Sequence, residues 1–338
     1  MTYRAAIVGC GRIASTIQDE FEGRPGLQLF PYSHAGAYRA CSRTELVAAA
    51  DPSLERRQAF GERWGVGALY ESVEELLAHE RLDLVSICAP TREHERIFDL
   101  VAGAVRGVLL EKPVSITLAE ADRMVERARA AGIDVAVDHT RTYDSWYRQA
   151  KRVLDDGLIG EVRTIVAFWA EGWSGGGSHL FDLLRFFTGS EPEWVFCHAD
   201  GSGEPDAGGS AYLHYRNGVR VHVEAPAGGV APLEVDVVGT AGRLRIGTHR
   251  AQLFVNDTRL GYPVPAEWPF FGRMEPVSGL ERAVGELVDA IEGGPEPAST
   301  LEHARSALEI AVALNRSAET GARVDLPIAD RAAGVEAF

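Results

Sequence analysis

Arg4-Ala5-Ala6-Ile7-Val8-Gly9-Cys10-Gly11-Arg12-Ile13-Ala14 is the stretch that decides the fold. A run of apolar-leaning residues enters Gly-x-Gly-x-x-Ala, the pattern in which a buried parallel strand turns sharply and opens a helix whose free N–H groups face a pyrophosphate. Gly9 permits the turn, Gly11 lets the backbone approach phosphates with no Cβ in the way, and Ala14 keeps the helix close to the sheet. Arg12 and Ile13 fill the turn between them. An isolated match also fits a ligand-free glycine turn. Here alternating strand and helix patterns follow, so the motif reads as a dinucleotide site for NAD, with NADP as the alternative.

The chain has 338 residues, enough for two domains. Its 46% hydrophobic and 25% charged residues are those of a folded globular protein. With 34 basic against 49 acidic side chains the net charge is −15, which opposes attraction to nucleic acid or to an anionic membrane and favours small-molecule partners. Cys10, Cys41, Cys88 and Cys197 are scattered without a C-x-x-C, so no metal site and no disulfide framework is expected. Met-Thr-Tyr-Arg leads straight into a strand with no signal-like segment, and no apolar run reaches spanning length; the expectation is a cytoplasmic protein.

Working outward, Glu45 to Asp51 reads as a second buried strand ending in a carboxylate, where such folds hydrogen-bond the adenosine ribose. Asp51 therefore favours NAD, a strand-end turn before Pro52 is the bland reading, and Arg56 with Arg57 keeps NADP open. Asp51 lies 40 residues past Gly11 rather than about 20. The surplus is Asp19 to Ser33, rich in Gly, Pro and aromatics, either a lid near the cofactor edge or a surface insertion. A helix over Ser53 to Trp64, a short edge strand at Ala68 to Tyr70 and a capped helix over Ser72 to Ala78 come next. The strand Leu82 to Ala89 then delivers Ala89-Pro90-Thr91, with His94 on the following helix, to the edge where ligands collect. Gly107 to Leu110 delivers Glu111-Lys112-Pro113 to the same edge. A lysine there can donate to or accept from a reacting oxygen. A helix over Thr117 to Ala131 and a strand over Ile133 to Val137 close a first domain over 1–139.

The glycine turn, the strand ending at Asp51, Ala89-Pro90-Thr91 with His94, and Glu111-Lys112-Pro113 together resemble the Gfo/Idh/MocA oxidoreductases, the glucose-fructose oxidoreductase and inositol dehydrogenase family. The resemblance extends over nearly the whole chain. Arg141-x-Tyr143 with Tyr147 and Lys151 looks like the family's linker into its second domain, and it implies that Arg141 borders the cofactor and Tyr143 the substrate.

The remainder, 140–338, changes character. Strand-like segments over 163–170, 194–199, 211–215, 219–224, 233–238, 243–246 and 252–255 are joined by tight turns such as Arg216-Asn217-Gly218, which predicts a largely antiparallel sheet in an α+β domain. Helices near 278–292 and 301–320 finish the chain, the C-terminal helix being free to pack back on the first domain. An exposed sheet face of this kind suits a homodimer or homotetramer. The expected architecture is thus a Rossmann doubly wound parallel sheet followed by an open, largely antiparallel one.

Gly175-Gly176-Gly177-Ser178-His179 precedes an apolar helix, and a histidine at a glycine-rich helix start is a candidate for proton transfer near neutral pH. A structural helix-start histidine is the bland alternative. The family resemblance implies Asp-x-Gly-x-His here, with Asp and His working beside the Glu-Lys-Pro lysine on a sugar hydroxyl or ketone. His179 and Gly177 match; the Asp position holds Gly175. Tyr143, Glu171 and Asp182 are the substitutes the sequence offers, and Trp173 and Trp146 are aromatics that either stack on a sugar or sit in the core. The reading is an NAD-linked oxidoreductase acting on a sugar, cyclitol or related polyol, with Lys112 and His179 catalytic. Its rivals are an NAD-using non-redox sugar enzyme and a dinucleotide-binding regulator with reduced catalysis.

Overall fold

A computed structural model describes residues 2–21, 30–169, 172–199, 206, 208–225, 233–247, 250–259, 261–270, 275 and 277–335. The chain forms two compact units, Met1–Asp144 with Pro276–Arg305 and Glu336–Phe338, and Ser145–Glu275 with Ser306–Val335.

The first unit is built on β1 (Tyr3–Val8), α1 (His34–Ala40), β2 (Thr44–Ala50), α2 (Leu54–Trp64), β3 (Ala68–Tyr70), α3 (Val73–His79), β4 (Leu84–Ile87), α4 (His94–Val101), β5 (Gly107–Leu110), α5 (Leu118–Ala131), β6 (Asp134–Val137) and the short α6 (Thr140–Tyr143). Its six strands are all parallel in the order β3-β2-β1-β4-β5-β6. The order reverses between β1 and β4, which opens a ligand crevice outside the carboxyl ends of those strands. β1, β4 and β5 are apolar and almost wholly buried, as strands covered on both faces must be. α5 opens with a capping box, Thr117 and Glu120 exchanging bonds with each other's backbone, and ends at Gly132 in the left-handed conformation.

The first crossover differs from expectation. The glycine turn does not open one long helix. Arg12–Thr16 is wound as a widened π turn and Ile17–Phe21 as a 3₁₀ turn, and the regular helix α1 begins only at His34. Part of the surplus stretch, 22–29, lies outside the described residues. Its flanks are pinned: the Phe21 and Tyr32 rings meet edge to face at 5.2 Å, and the Ser33 hydroxyl donates to Gln18 Oε1 at 3.1 Å while accepting the Gly36 N–H to cap α1.

The chain leaves the first unit after Asp144. The chain returns over Pro276–Arg305, and a late helix over Gly279–Ile291 packs Leu280, Val284, Leu287, Val288 and Ile291 into one core with Ile7, Tyr38, Leu84, Leu109 and Ala136. Gly107 is where this helix presses on the sheet: a Cβ there would stand 3.0 Å from Leu287 and Leu84 side-chain atoms.

The second unit contains α7 (Ser145–Asp155), β7 (Val162–Phe168), α8 (Gly176–Thr188), β8 (Pro192–Ala199), β9 (Gly209–Tyr215), β10 (Arg220–Ala225), β11 (Glu234–Gly239), β12 (Gly242–Gly247), β13 (Arg250–Asp257) and β14 (Val264–Trp268). The returning helix is then α9 (Gly279–Ile291), and α10 (Leu301–Thr320) and β15 (Val324–Asp325) end the chain. The nine strands run β14-β13-β12-β11-β7-β10-β9-β8-β15, antiparallel except where β7 meets β10. Burial alternates strictly along β9 and β10, so one face is core and the other is not. The outer face carries Trp194 stacked on Tyr212 at 5.1 Å, Tyr212 against His222 at 5.0 Å, and the exposed side chains of Phe168 and Phe196.

Candidate active site

At the end of β1, Gly9 has φ +93°, and a Cβ there would stand 2.7 Å from the Cys88 carbonyl carbon at the end of β4. Only glycine lets the two strand ends approach this closely. Gly11 is the opposite case: nothing lies within 4 Å of where its Cβ would be. That open ground, at the start of the helical turns carrying Arg12, Ile13 and the buried Ala14, is what a pyrophosphate needs to approach the main chain. The cradle therefore fits a dinucleotide. Arg12 itself turns to Glu20, its Nη2 standing 2.7 Å from Oε2.

Asp51 ends β2 as expected, and both its oxygens engage main chain. Oδ2 accepts the Cys10 N–H and Oδ1 the Ser53 N–H, each at 2.8 Å. The carboxylate thus fastens the glycine turn to the start of α2, and each oxygen retains a lone pair for a further donor. Arg57 donates to the Asp51 and Pro52 carbonyls at 3.1 Å.

At the β4 end, Ala89 is half-buried, Pro90 exposed and Thr91 buried. His94 is buried with Nε2 2.9 Å from the Ala89 carbonyl oxygen and Nδ1 3.2 Å from that of Val114. Burial holds its pKa below the usual imidazole value. The ring ties the loop after β4 to the loop that carries Lys112.

Lys112 stands half-buried at the end of β5, and among the described residues its Nζ makes no hydrogen bond or ion pair. The preceding Glu111 is buried. Its Oε1 lies 2.8 Å from His34 Nε2, its Oε2 accepts the Lys112 N–H at 3.3 Å, and Asp138 at the end of β6 hydrogen-bonds to it. His34, Glu111 and Asp138 are the one group among the described residues with the ligand types and spacing to hold a metal ion, and here they bond to one another. The sequence reading missed His34 and Asp138, because His34 and Glu111 are 77 positions apart. A usable signal was present elsewhere: the chain has only two lysines, Lys112 and Lys151, among 34 basic residues.

Tyr143, expected to face substrate, is fully buried in the core of the first unit. Its hydroxyl donates to the Ser299 carbonyl at 3.0 Å and accepts the Ser299 N–H at 3.2 Å. Arg141 stands half-buried on α6.

In the second unit, α8 begins at Gly176 with Gly175 as an N-cap that offers no side chain. His179 is half-buried in the first turn. Trp173 is buried against Phe181, ring centroids 6.3 Å apart, so the structure gives it the core position rather than the sugar-stacking one. Trp146 meets Phe270 edge to face at 5.1 Å. Of the substitutes for the missing carboxylate, Glu171 lies outside the described residues, and Asp182 is buried 3.4 Å from Arg185. An acid from elsewhere in the chain reaches this segment. Asp206, at φ +59°, brings both carboxylate oxygens to 3.0 Å from the Ser174 N–H, immediately before the N-cap, and a Cβ on Gly172 would collide with it.

The Gfo/Idh/MocA oxidoreductase family, described for its first domain as having an NAD-binding Rossmann fold, matches residues 3–139, and the family's C-terminal domain matches residues 147–245. The chain is 25% identical to the myo-inositol 2-dehydrogenase of Thermotoga maritima, over 96% of this chain and 98% of that protein. It is 24% identical to the D-apiose dehydrogenase of Paraburkholderia graminis, over 96% of this chain and 90% of that one. An oxidoreductase from Agrobacterium radiobacter, crystallised with NAD+, L-tartaric acid and magnesium, shares the fold with a TM-score of 0.78 at 18% identity, over 96% of this chain and 98% of that one. With both domains of one family matched in order, this chain belongs to the Gfo/Idh/MocA oxidoreductases.

Proposed function

We propose that this protein is an NAD-linked oxidoreductase that moves a hydride between nicotinamide and a carbinol or carbonyl carbon of a sugar, cyclitol or related polyol. The relatives named above are dehydrogenases of this kind. Bound NAD supplies the hydride acceptor. Gly9 and Gly11 give its phosphates room, and Ala89, Pro90 and Thr91 border it. A carboxylate at Asp51 accepts ribose hydroxyls and repels a 2′-phosphate, which supports NAD over NADP.

One observation carries the reading: a half-buried lysine with an uncommitted amine, at the sheet edge where such folds place their ligands. Lys112 polarises the reacting oxygen, and His179 passes the proton. Asp206 supplies, from another part of the sequence, the carboxylate that the family pattern places at position 175, and it steadies the segment leading to His179. The outer aromatic face of the nine-stranded sheet is covered by a second copy of the chain, which light scattering checks against Trp194→Glu.

The test is a panel of polyols and ketoses with NAD or NADP, following nicotinamide absorbance. NAD reduction by one class of polyol supports the reading. Net sugar cleavage or epimerisation without accumulating NADH, or NAD binding with no turnover on any substrate, overturns it.

A further inference from the structure

Behind Lys112 lies a cluster that the proposed chemistry does not use. His34 on α1 is wholly buried, its Nδ1 3.0 Å from Ser86 Oγ and its Nε2 2.8 Å from Glu111 Oε1 and 3.8 Å from Asp138 Oδ2. The Ser86 hydroxyl also lies 3.0 Å from the Tyr38 hydroxyl. Nε2 faces the Glu111 carboxylate and donates to it. Cys88 and Glu111 hold the ring protonated well above the usual imidazole value. Asp138 Oδ1 accepts from Thr140 Oγ1 at 3.0 Å, while its bond to Glu111 joins two carboxyl groups and needs a proton between them. The sum is one positive ring and two carboxyls sharing one proton, a neutral set that a dry interior tolerates.

We propose that His34, Glu111 and Asp138 form a buried shared-proton network that positions the Lys112 turn, with Asp138 holding the mobile proton. This rests on Lys112 being the catalytic amine. His34, Glu111 and Asp138 are positioning residues and touch no reactant. Among the described residues, the groups that face the network are Tyr38 from α1, Ser86 and Cys88 from the β4 end, His94 from α4, Lys112 from the β5 end and Thr140 beyond β6. The acid–base directions agree. Burial alone would drive His34 neutral, but the Cys88 sulfur and Glu111 reverse it and hold the ring protonated well above the usual value. Burial raises Glu111, but the His34 bond outweighs it and keeps that carboxylate ionised. Burial and the Glu111 charge together push Asp138 up to about 7. Its loss adds one negative charge to the carboxyl pair whose other member, Glu111, acts on Lys112.

The presence of only two lysines makes the test internal to the chain. The rates at which Lys112 and Lys151 react with an amine-specific acylating reagent are read by mass spectrometry from pH 5.5 to 8.5 in the full-length protein. Lys151, paired with Asp155 on the surface of α7, is the reference. In the wild type the Lys112-to-Lys151 ratio falls by about tenfold as Asp138 ionises, the size of a unit charge acting over several ångströms. In Asp138→Asn the amide keeps its bond to Glu111, and the ratio stays flat. An infrared titration of the wild type with isotope-labelled aspartate needs no variant: a buried protonated carboxyl band disappears over the same range. A flat wild-type ratio, a fall that persists in Asp138→Asn, or no such band overturns the proposal. Absence of turnover on every polyol would overturn the functional reading and leave these measurements untouched.

Discussion

The two segments assigned to proton handling are held in opposite ways. Glu111-Lys112 leaves a fully buried strand and is fixed by His34, Asp138 and the His94 bridge between two loops, all reached from different elements of one sheet edge. The Gly175 segment starts a helix with no side-chain cap and draws an acid, Asp206, from a loop. The first arrangement is over-determined, because each group has several partners and removal of one strands the others. The second rests on single bonds to main chain, each of which a different residue can replace. Function at the first site should therefore be intolerant of change, and function at the second graded.

Lys112→Ala is the sharpest attempt to break this contrast. It should lower kcat by about 10²–10⁴, the range for a positioned acid or base, while NAD affinity by calorimetry stays within about twofold. Turnover near wild type would remove Lys112 from the chemistry altogether.

Asp138→Asn probes the support of the same site through stability. Asp138 is protonated in the fold up to about pH 7 and ionised in the unfolded chain above its ordinary value of 3.8. The folded state binds the extra proton across that window, so stability contributed by Asp138 is complete below the unfolded value and is lost as pH rises through about 7. His34, raised in the fold, adds to the decline above 6.5, and Glu111, lowered in the fold, has contributed fully by pH 5. Denaturant titrations from pH 5 to 8 should show wild-type stability falling, and Asp138→Asn should flatten the part below pH 7. An unchanged slope would mean that the proton does not reside there.

Much of this was legible in sequence, for reasons that differ by residue. The parallel sheet was, because Gly9, Gly11 and the continuous apolar strands are local signals that only one backbone path satisfies. The split of the first crossover was not, since nothing in Arg12 to Phe21 marks a π turn. Edge strand β14 was missed because Pro265 within it reads as a break, which an edge tolerates. Tyr143 and Trp173 drew functional readings from their positions in a pattern, whereas burial is decided by partners far along the chain: Ser299 for one, Phe181 for the other. The same holds for His34 with Asp138, and for Asp206. A polar network is assembled by topology, and spacing in sequence carries no trace of it.

Asp206→Ala should have a smaller effect, a drop in kcat of about three- to tenfold with little change in KM. The carboxylate accepts the Ser174 N–H and the Asn315 amide, and a hydrogen bond to a charged group contributes about 1.5–3 kcal/mol, of which positioning transmits a part. A loss as large as that of Lys112→Ala would make Asp206 a direct participant. A loss confined to stability would reduce it to a loop anchor.

Gly175→Asp is the mildest change and separates those roles. Gly175 has a negative φ of −81°, so a side chain there meets no left-handed backbone penalty, and aspartate as N-cap exceeds glycine by only a few tenths of a kcal/mol. Alone, the substitution should leave kcat within about twofold. Combined with Asp206→Ala it should restore most of the lost turnover if the two carboxylates serve one purpose, because contributions of groups that do the same work are not additive. If the double variant is no better than Asp206→Ala, the acid on Ser174 holds the loop and nothing more. The glycine-rich segment would then act on its proton without any carboxylate, unlike the pattern it resembles.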